Sequence, residues 1–294
     1  MVSWAARVDK IKKVHDLHDE IRDNVQRALR EDIGNGDLTA LLIPSDRTLK
    51  ATVITRENAV LCGTQWFEAC FTALAPEITI EWFFKDADRV QVNQILCEIT
   101  GPARAMLTAE RSGLNFLQLL SAVATQTRQF VDAIAGTNTV IVDTRKTLPG
   151  LRLAQKYAVT CGGGMNHRVG LYDGILIKEN HIIAAGGILP ALTHAREIAA
   201  PNVFIQIEVE TVQQLQEAIA AGATMVLLDN FSLAQLRDAV AWTRQHAGQR
   251  IILEASGNIT LENVRQVAET GVDRISIGGL TKNIQAVDLS MRFV

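Results

Sequence analysis

Residues 203–230, VFIQIEVETVQQLQEAIAAGATMVLLDN, decide the fold. A β-branched apolar run, VFIQIEVE, ends in two glutamates. An amphipathic stretch follows, and a second apolar run, TMVLLDN, ends in Asp229 and Asn230. Apolar runs that alternate with helical stretches predict strands of a parallel sheet joined by helices. The pattern extends in both directions: TVIVD (139–143) and GILIKEN (174–180) precede it, and RIILEAS (250–256) and RISIGG (274–279) follow. From Ile205 onward the spacing is that of one βα unit. Six visible strands, about seven in all, are too few for an eight-fold barrel and fit an open, incomplete one.

Each run closes on charge, hydroxyl or glycine: Asp143/Arg145/Lys146, Lys178/Glu179, Glu208/Glu210, Asp229/Asn230, Glu254/Ser256 and Gly278/Gly279. In a parallel α/β barrel these fall on the C-terminal face, where loops build active sites. A solvated strand end explains one of them better than it explains six.

The stretch Asp143–His181 carries Arg145, Lys146, Arg152, Lys156, Arg168 and Lys178 against Asp143, Asp173 and Glu179. It is cationic inside a chain of net charge −3, which points to a pocket for a small, multiply charged anion. The overall charge argues against a nucleic-acid binder, which needs a basic excess. Arginine forks suit carboxylates and phosphates, and lysine acts as a point charge. Lys178 ends an apolar strand, where a charge without an anion is costly. A lone His167 is more often structural; after a glycine turn and beside Arg168, a ligand role is equally open. Arg152 and Lys156, four apart on a helix, are expected on a solvated face. Gly162–Gly164 reads equally as a helix cap and turn. Glu208 and Asp229 form an acidic pair suited to Mg²⁺ or sugar hydroxyls. Ser256-Gly257-Asn258 and Gly278-Gly279 supply backbone N–H groups near the last strands, where barrels hold phosphate. Glu254 is left between a core role and a ribose contact.

The first part of the chain has a different rhythm. An amphipathic helix is expected over 9–30, a break at 34–39, β-like runs at 51–56, 78–84 and 94–100, a helix at 64–75, and a long helix, or a helix with a bend, over 103–135. An N-terminal α/β domain over 1–118 and a barrel over 119–284 follow, with the tail 285–294 packing on the first domain. Cys62, Cys70, Cys97 and Cys161 show no metal-binding spacing and read as thiols in a reducing compartment, Cys161 being the one to watch. The N-terminus lacks a signal peptide's apolar core, and no apolar run spans a bilayer, so a cytoplasmic protein is expected.

DTRKTLPGLR (143–152), CGGGMNHRVGL (161–171), LIKENH (176–181), IEVE (207–210), LLDN (227–230), EASGN (254–258) and ISIGGLT (275–281) together resemble the quinolinate phosphoribosyltransferase family. REDIGNGDLT (30–39) and LTAERSGLNFLQLLSAVATQT (107–127) extend the resemblance from about residue 28 to the end. It implies an N-terminal α/β sandwich domain and a seven-stranded open α/β barrel. It also implies transfer of phosphoribosyl from phosphoribosyl pyrophosphate (PRPP) to quinolinate with Mg²⁺, releasing pyrophosphate and CO₂ and giving nicotinate mononucleotide for NAD synthesis. By position, Arg145, His167, Arg168 and Lys178 match the residues around the quinolinate carboxylates. Lys146 matches a lysine at the reacting centre and pyrophosphate. Glu208 and Asp229 match the ribose and Mg²⁺ carboxylates, and Ser256, Gly257, Asn258, Gly278 and Gly279 the phosphate loops. Arg111 matches an arginine that enters the neighbouring subunit's site, so the resemblance implies a homodimer or a larger assembly such as a hexamer. Ala122, where the family commonly has glycine, and the loop Leu171–Gly174 depart from the pattern without removing a charged group. A related non-catalytic protein, an anion-binding regulator and an aldolase-like barrel with Lys178 as a Schiff-base amine are the competing readings.

Overall fold

The computed structural model describes residues 17–248 and 250–294. The part of the expected first helix before residue 17, and the segment bearing on a signal peptide, lie outside them. The described chain divides into two compact units.

The first unit comprises the chain up to Arg128, then Thr147–Gly163 and Gly279–Val294. It opens with helix α1 (Leu17–Ile33), whose Leu17, Ile21, Val25 and Leu29 recur at four-residue spacing and are buried. Strands β1 (Thr48–Thr55), β3 (Thr79–Trp82), β5 (Ile95–Pro102) and β12 (Leu289–Phe293) form an antiparallel sheet in the order β12-β1-β5-β3. The C-terminal strand pairs with β1 from Ala51↔Phe293 to Thr55↔Leu289. The short strands β2 (Ala59–Val60) and β4 (Arg89–Val90) pair separately. Helix α2 (Thr64–Thr72) places Trp66, Phe67 and Phe71, all fully buried, into the core. Helix α3 (Ala103–Ala133) is unbroken, and the boundary expected at 118/119 falls within it.

Helix α4 (Arg152–Cys161) corrects one expectation. Lys156 is fully buried, not solvated, because every residue of α4 from Ala154 to Cys161 is buried. Arg152 is half-buried, its Nε donating to Thr147 Oγ1 at 3.1 Å. Gly162 caps this helix and Gly163 follows at φ +89°. Here the cap-and-turn reading of the glycines holds. A Cβ on Gly162 would lie within van der Waals distance of the Ala124 carbonyl and Thr127.

All four cysteines are buried free thiols. Cys62, Asp86 and Cys161 bring their side-chain ligand atoms within 4.8 Å of one another, a grouping that sequence spacing does not reveal. Asp86 is occupied: it accepts the N–H of Gly63 at 3.1 Å, that of Thr64 at 3.2 Å and the Tyr157 hydroxyl at 2.8 Å. Burial pushes the Cys62 thiol well up, reinforced by Cys161 and the charge of Asp86. Such a thiol stays protonated and unreactive.

The second unit comprises Gln129–Lys146 and Gly164–Gly278. Its sheet contains β6 (Val140–Val142), β7 (Gly174–Ile177), β8 (Phe204–Val209), β9 (Met225–Asp229), β10 (Ile252–Ser256) and β11 (Arg274–Ser276), all parallel, in the order β6-β11-β10-β9-β8-β7. These are the six runs read from the sequence. A seventh position is an isolated parallel bridge, Val142↔Met165, at the β6 edge. Among the described residues nothing pairs Met165 with β7, so the sheet is open there. Helices follow the strands as the pattern requires: α5 (Glu179–Ala185), α6 (Ile188–Ile198), α7 (Val212–Ala220), α8 (Leu233–His246) and α9 (Val264–Ala268).

No helix among the described residues is long and apolar enough to cross a membrane.

Candidate active site

Side chains alternate faces along a strand, so register decides which residues meet. Leu176 pairs with Gln206, Glu208 with Leu227, Leu227 with Glu254, and Ser256 with Asp229. Glu254 pairs in turn with Arg274, which puts Ser276 on the same face two residues on. One face therefore carries Leu176, Gln206, Glu208, Leu227, Asp229, Glu254, Ser256 and Ser276. The opposite face carries Ile207, Val209, Val226, Leu228, Leu253, Ala255 and Ile275, all buried core.

A cavity of about 230 Å³ opens on the polar face. Arg145, Lys146, His167, Arg168, Lys178, Glu208 and Ser256 line it, with Glu254, Thr144 and Ser276. The sequence-derived cationic set thus converges, although its members come from three separate segments. Asp143, fully buried, builds part of this wall: it accepts the His167 N–H at 2.9 Å and the Asn166 side-chain amide.

Arg168 donates through Nη1 to the Gly174 carbonyl at 3.1 Å. Burial lowers its pKa, Arg145 adds a like-charge push, and Asp173 partly offsets both. Asp173 also shapes the preceding loop, accepting the N–H groups of Val169 and Gly170, each at 2.8 Å. Lys178 Nζ lies 3.0 Å from Glu208 Oε2. Burial raises the Glu208 carboxyl above its ordinary range, Lys178 pulls it down, and Asp229 and Glu179 push it up.

Asp229 sits at the end of β9 beside Ser256 rather than on the cavity wall. Gly257 and Asn258 line a second cavity of about 320 Å³ with Ser256, Asn230 and Ser232. Asn230, Gly257 and Asn258 all have positive φ (57°, 103° and 49°), and the Asn230 N–H donates to the Ser256 carbonyl at 2.9 Å. Left-handed residues beside a cavity are the backbone form from which anion-binding loops are built, although the Asn230 N–H is itself taken by Ser256. Gly278 abuts Lys146: a Cβ there would stand 2.9 Å from Lys146 Cδ. Arg111 is exposed on α3 in the first unit, and Gly279 opens α10 (Gly279–Lys282) there.

Two neighbours of the set, Gln206 and Glu254, are fully buried polar groups on the cavity face. No local motif marks Gln206, and Glu254 fits a core role as well as a ribose contact, yet they lie two residues before Glu208 and Ser256, each on the same side of its strand.

Residues 37–121 match the profile of the quinolinate phosphoribosyl transferase N-terminal domain, and residues 123–292 that of its C-terminal domain. The chain belongs to the quinolinate phosphoribosyl transferase family. Relatives within the family include the probable nicotinate-nucleotide pyrophosphorylase (carboxylating) of Bacillus subtilis, 41% identical over 93% of each chain. The Mycobacterium leprae nicotinate-nucleotide pyrophosphorylase (carboxylating) is 39% identical over 93% of this chain and 97% of that one. The solved nicotinate-nucleotide pyrophosphorylase from Francisella tularensis superposes with a TM-score of 0.90 at 46% identity, covering 94% of this chain and 96% of that one.

Proposed function

We propose that this protein is a quinolinate phosphoribosyltransferase (decarboxylating): it transfers phosphoribosyl from PRPP to quinolinate and gives nicotinate mononucleotide, pyrophosphate and CO₂. The observation that carries the reading is the gathering of Arg145, Lys146, Arg168 and Lys178 around one cavity beside a left-handed Ser256–Asn258 loop. Arg145 and Arg168 press on each other by like charge, and two unit charges about 4 Å apart repel by about 4 kcal/mol at an effective dielectric near 20. A dianion relieves that strain better than a mono-anion, which favours quinolinate over nicotinate.

Arg145, Arg168 and Lys178 hold the two carboxylates and fix the pyridine nitrogen toward C1 of the ribose. That nitrogen has no proton to lose, so the transfer needs orientation and charge stabilisation rather than a general base. Lys146 faces the departing pyrophosphate, and Ser256, Gly257, Asn258 and Gly278 cradle phosphate. Glu208 and Asp229 favour positive charge developing on the ribose. Ribosylation leaves the nitrogen cationic; that charge stabilises the carbanion formed as the 2-carboxylate departs as CO₂, and a proton from solvent at C2 then gives nicotinate mononucleotide.

The same pair of carboxylates fits Mg²⁺: both are oxygen donors on adjacent strands, and Asp229 raises the Glu208 carboxyl by like charge, which a divalent cation would relieve. Bound there with PRPP, Mg²⁺ would neutralise charge on the leaving pyrophosphate. A homodimer in which Arg111 completes the neighbouring site is part of the proposal.

The test is release of labelled CO₂ from carboxyl-labelled quinolinate. Release that requires both PRPP and Mg²⁺ is expected. Tight quinolinate binding without CO₂ release would favour an anion-binding protein instead, and equal use of nicotinate would overturn the dianion argument.

A further inference from the structure

His167 is bonded through both ring nitrogens. The Arg168 backbone N–H lies 2.8 Å from His167 Nδ1, so Nδ1 is an acceptor and carries no proton. In a neutral imidazole the other nitrogen must then be the donor. His167 Nε2 lies 2.7 Å from Gln206 Oε1, as that tautomer requires. Gln206 Nε2 in turn donates to Glu254 Oε2 at 3.1 Å. A carboxylate accepts only, so it fixes which end of the Gln206 amide faces it. The chain therefore has one direction: imidazole N–H to amide oxygen, amide N–H to carboxylate.

All three side chains are at least nine-tenths buried, and Glu254 Oε1 has no hydrogen-bond partner. It stands 3.8 Å from His167 Nε2, too far for a hydrogen bond. Buried polar atoms without partners are rare in folded proteins. Gln206 bonds the ring through its oxygen and Glu254 Oε2 through its nitrogen, and so leaves Oε1 as the carboxylate atom without a donor. A protonated His167 would place a proton on Nδ1, against the Arg168 N–H, and expel that backbone group from its bond.

We propose that Gln206 and Glu254 are positioning residues that hold His167 neutral, so that its Nδ1 anchors the main chain of Arg168 and sets the guanidinium for a substrate carboxylate. His167 then adds no charge to the pocket, and its place among the cationic ligands passes to Arg145, Lys146, Arg168 and Lys178. The functional part of this inference rests on the reading of the cavity as a quinolinate site.

The test combines imidazole nitrogen NMR of the ¹⁵N-histidine-labelled full chain with steady-state kinetics. A His167→Gln sample identifies the resonances. In the wild type one bare and one protonated nitrogen are expected at neutral pH, with and without quinolinate. Gln206→Leu, similar in volume but without an acceptor, should raise the quinolinate KM about tenfold, the value of one lost hydrogen bond, and change kcat much less. Gln206→Glu offers the ring an acceptor but sets a second carboxylate against Glu254, so it should not recover that loss alone; combined with Glu254→Gln, which then donates to it, most of the loss should return. Glu254→Gln keeps the shape but removes the fixed acceptor, and should give a mixed tautomer signature even if Gln206→Leu does not fold. Two protonated nitrogens in the wild type, or unchanged quinolinate KM in a folded Gln206→Leu, would overturn the proposal. If the wild type binds no quinolinate, the reading of the cavity fails and the substrate role with it. The ring signature separately decides whether the chain exists.

Discussion

Lys178 Nζ and Glu208 Oε2, 3.0 Å apart, tie together two groups assigned to different substrates. The proposed quinolinate ligand and the proposed ribose carboxylate neutralise each other. Removing either one strands the other's charge at the cavity. Lys178→Ala should therefore lower kcat/KM for quinolinate by about 10²–10³-fold, the cost of truncating one member of a hydrogen-bonded charge pair.

The same pair sets a pH dependence. Burial and Asp229 raise the Glu208 carboxyl, so the acid limb of the PRPP reaction should lie above the ordinary glutamate range. Asp229→Asn removes one raising charge and should move that limb to lower pH in the residual activity. A limb that moves upward, or stays fixed, would count against Glu208 as the titrating group.

Two glycine substitutions should separate strain from displacement. Gly257→Ala places a side chain at φ +103° against Asn230, and should weaken PRPP binding and lower the melting temperature. Gly278→Ala presses on the flexible stem of Lys146 and reaches only ordinary contact with Thr144 Oγ1, at 3.5 Å. It should lower kcat by about 10- to 100-fold through misplacement of that lysine, with little change in thermal unfolding.

Arg111→Ala and Lys178→Ala should each be nearly inactive alone. Mixed by reversible dissociation, a dimer with shared sites should recover about a quarter of wild-type activity, since half of the pairs are mixed and each holds one intact site. No recovery despite proven subunit exchange would remove Arg111 from the site.

Asp86 offers a stability test outside the site. Asp86→Ala leaves two backbone N–H groups and the Tyr157 hydroxyl without their acceptor, and should cost about 3 kcal/mol or more in denaturant unfolding. Burial raises the pKa of Asp86 in the folded protein. Its contribution is thus full below the ordinary aspartate value and lost as pH rises through the raised one. Asp86→Asn should flatten that slope.

Most of the barrel strands were legible because each run is apolar and ends in charge, and register preserved that order. The cationic set was legible for the same reason. Lys156 was not: two cations four apart look solvated, and only the burial of α4 on all sides says otherwise. Gln206 hid inside VFIQIEVE, although its period-two relation to Glu208 assigns it to the same face. Cys62, Asp86 and Cys161 are too far apart in the chain for any local pattern to join them.

The pairing of β12 with β1 has a consequence for synthesis. Residues 289–293 are made long after residues 48–55, yet they complete the sheet that those residues begin. That edge of β1 must wait unpaired until they emerge, a hydrogen-bonding template open to other chains. Removal of residues 289–294 should therefore show first as aggregation of the newly made protein rather than as lost chemistry.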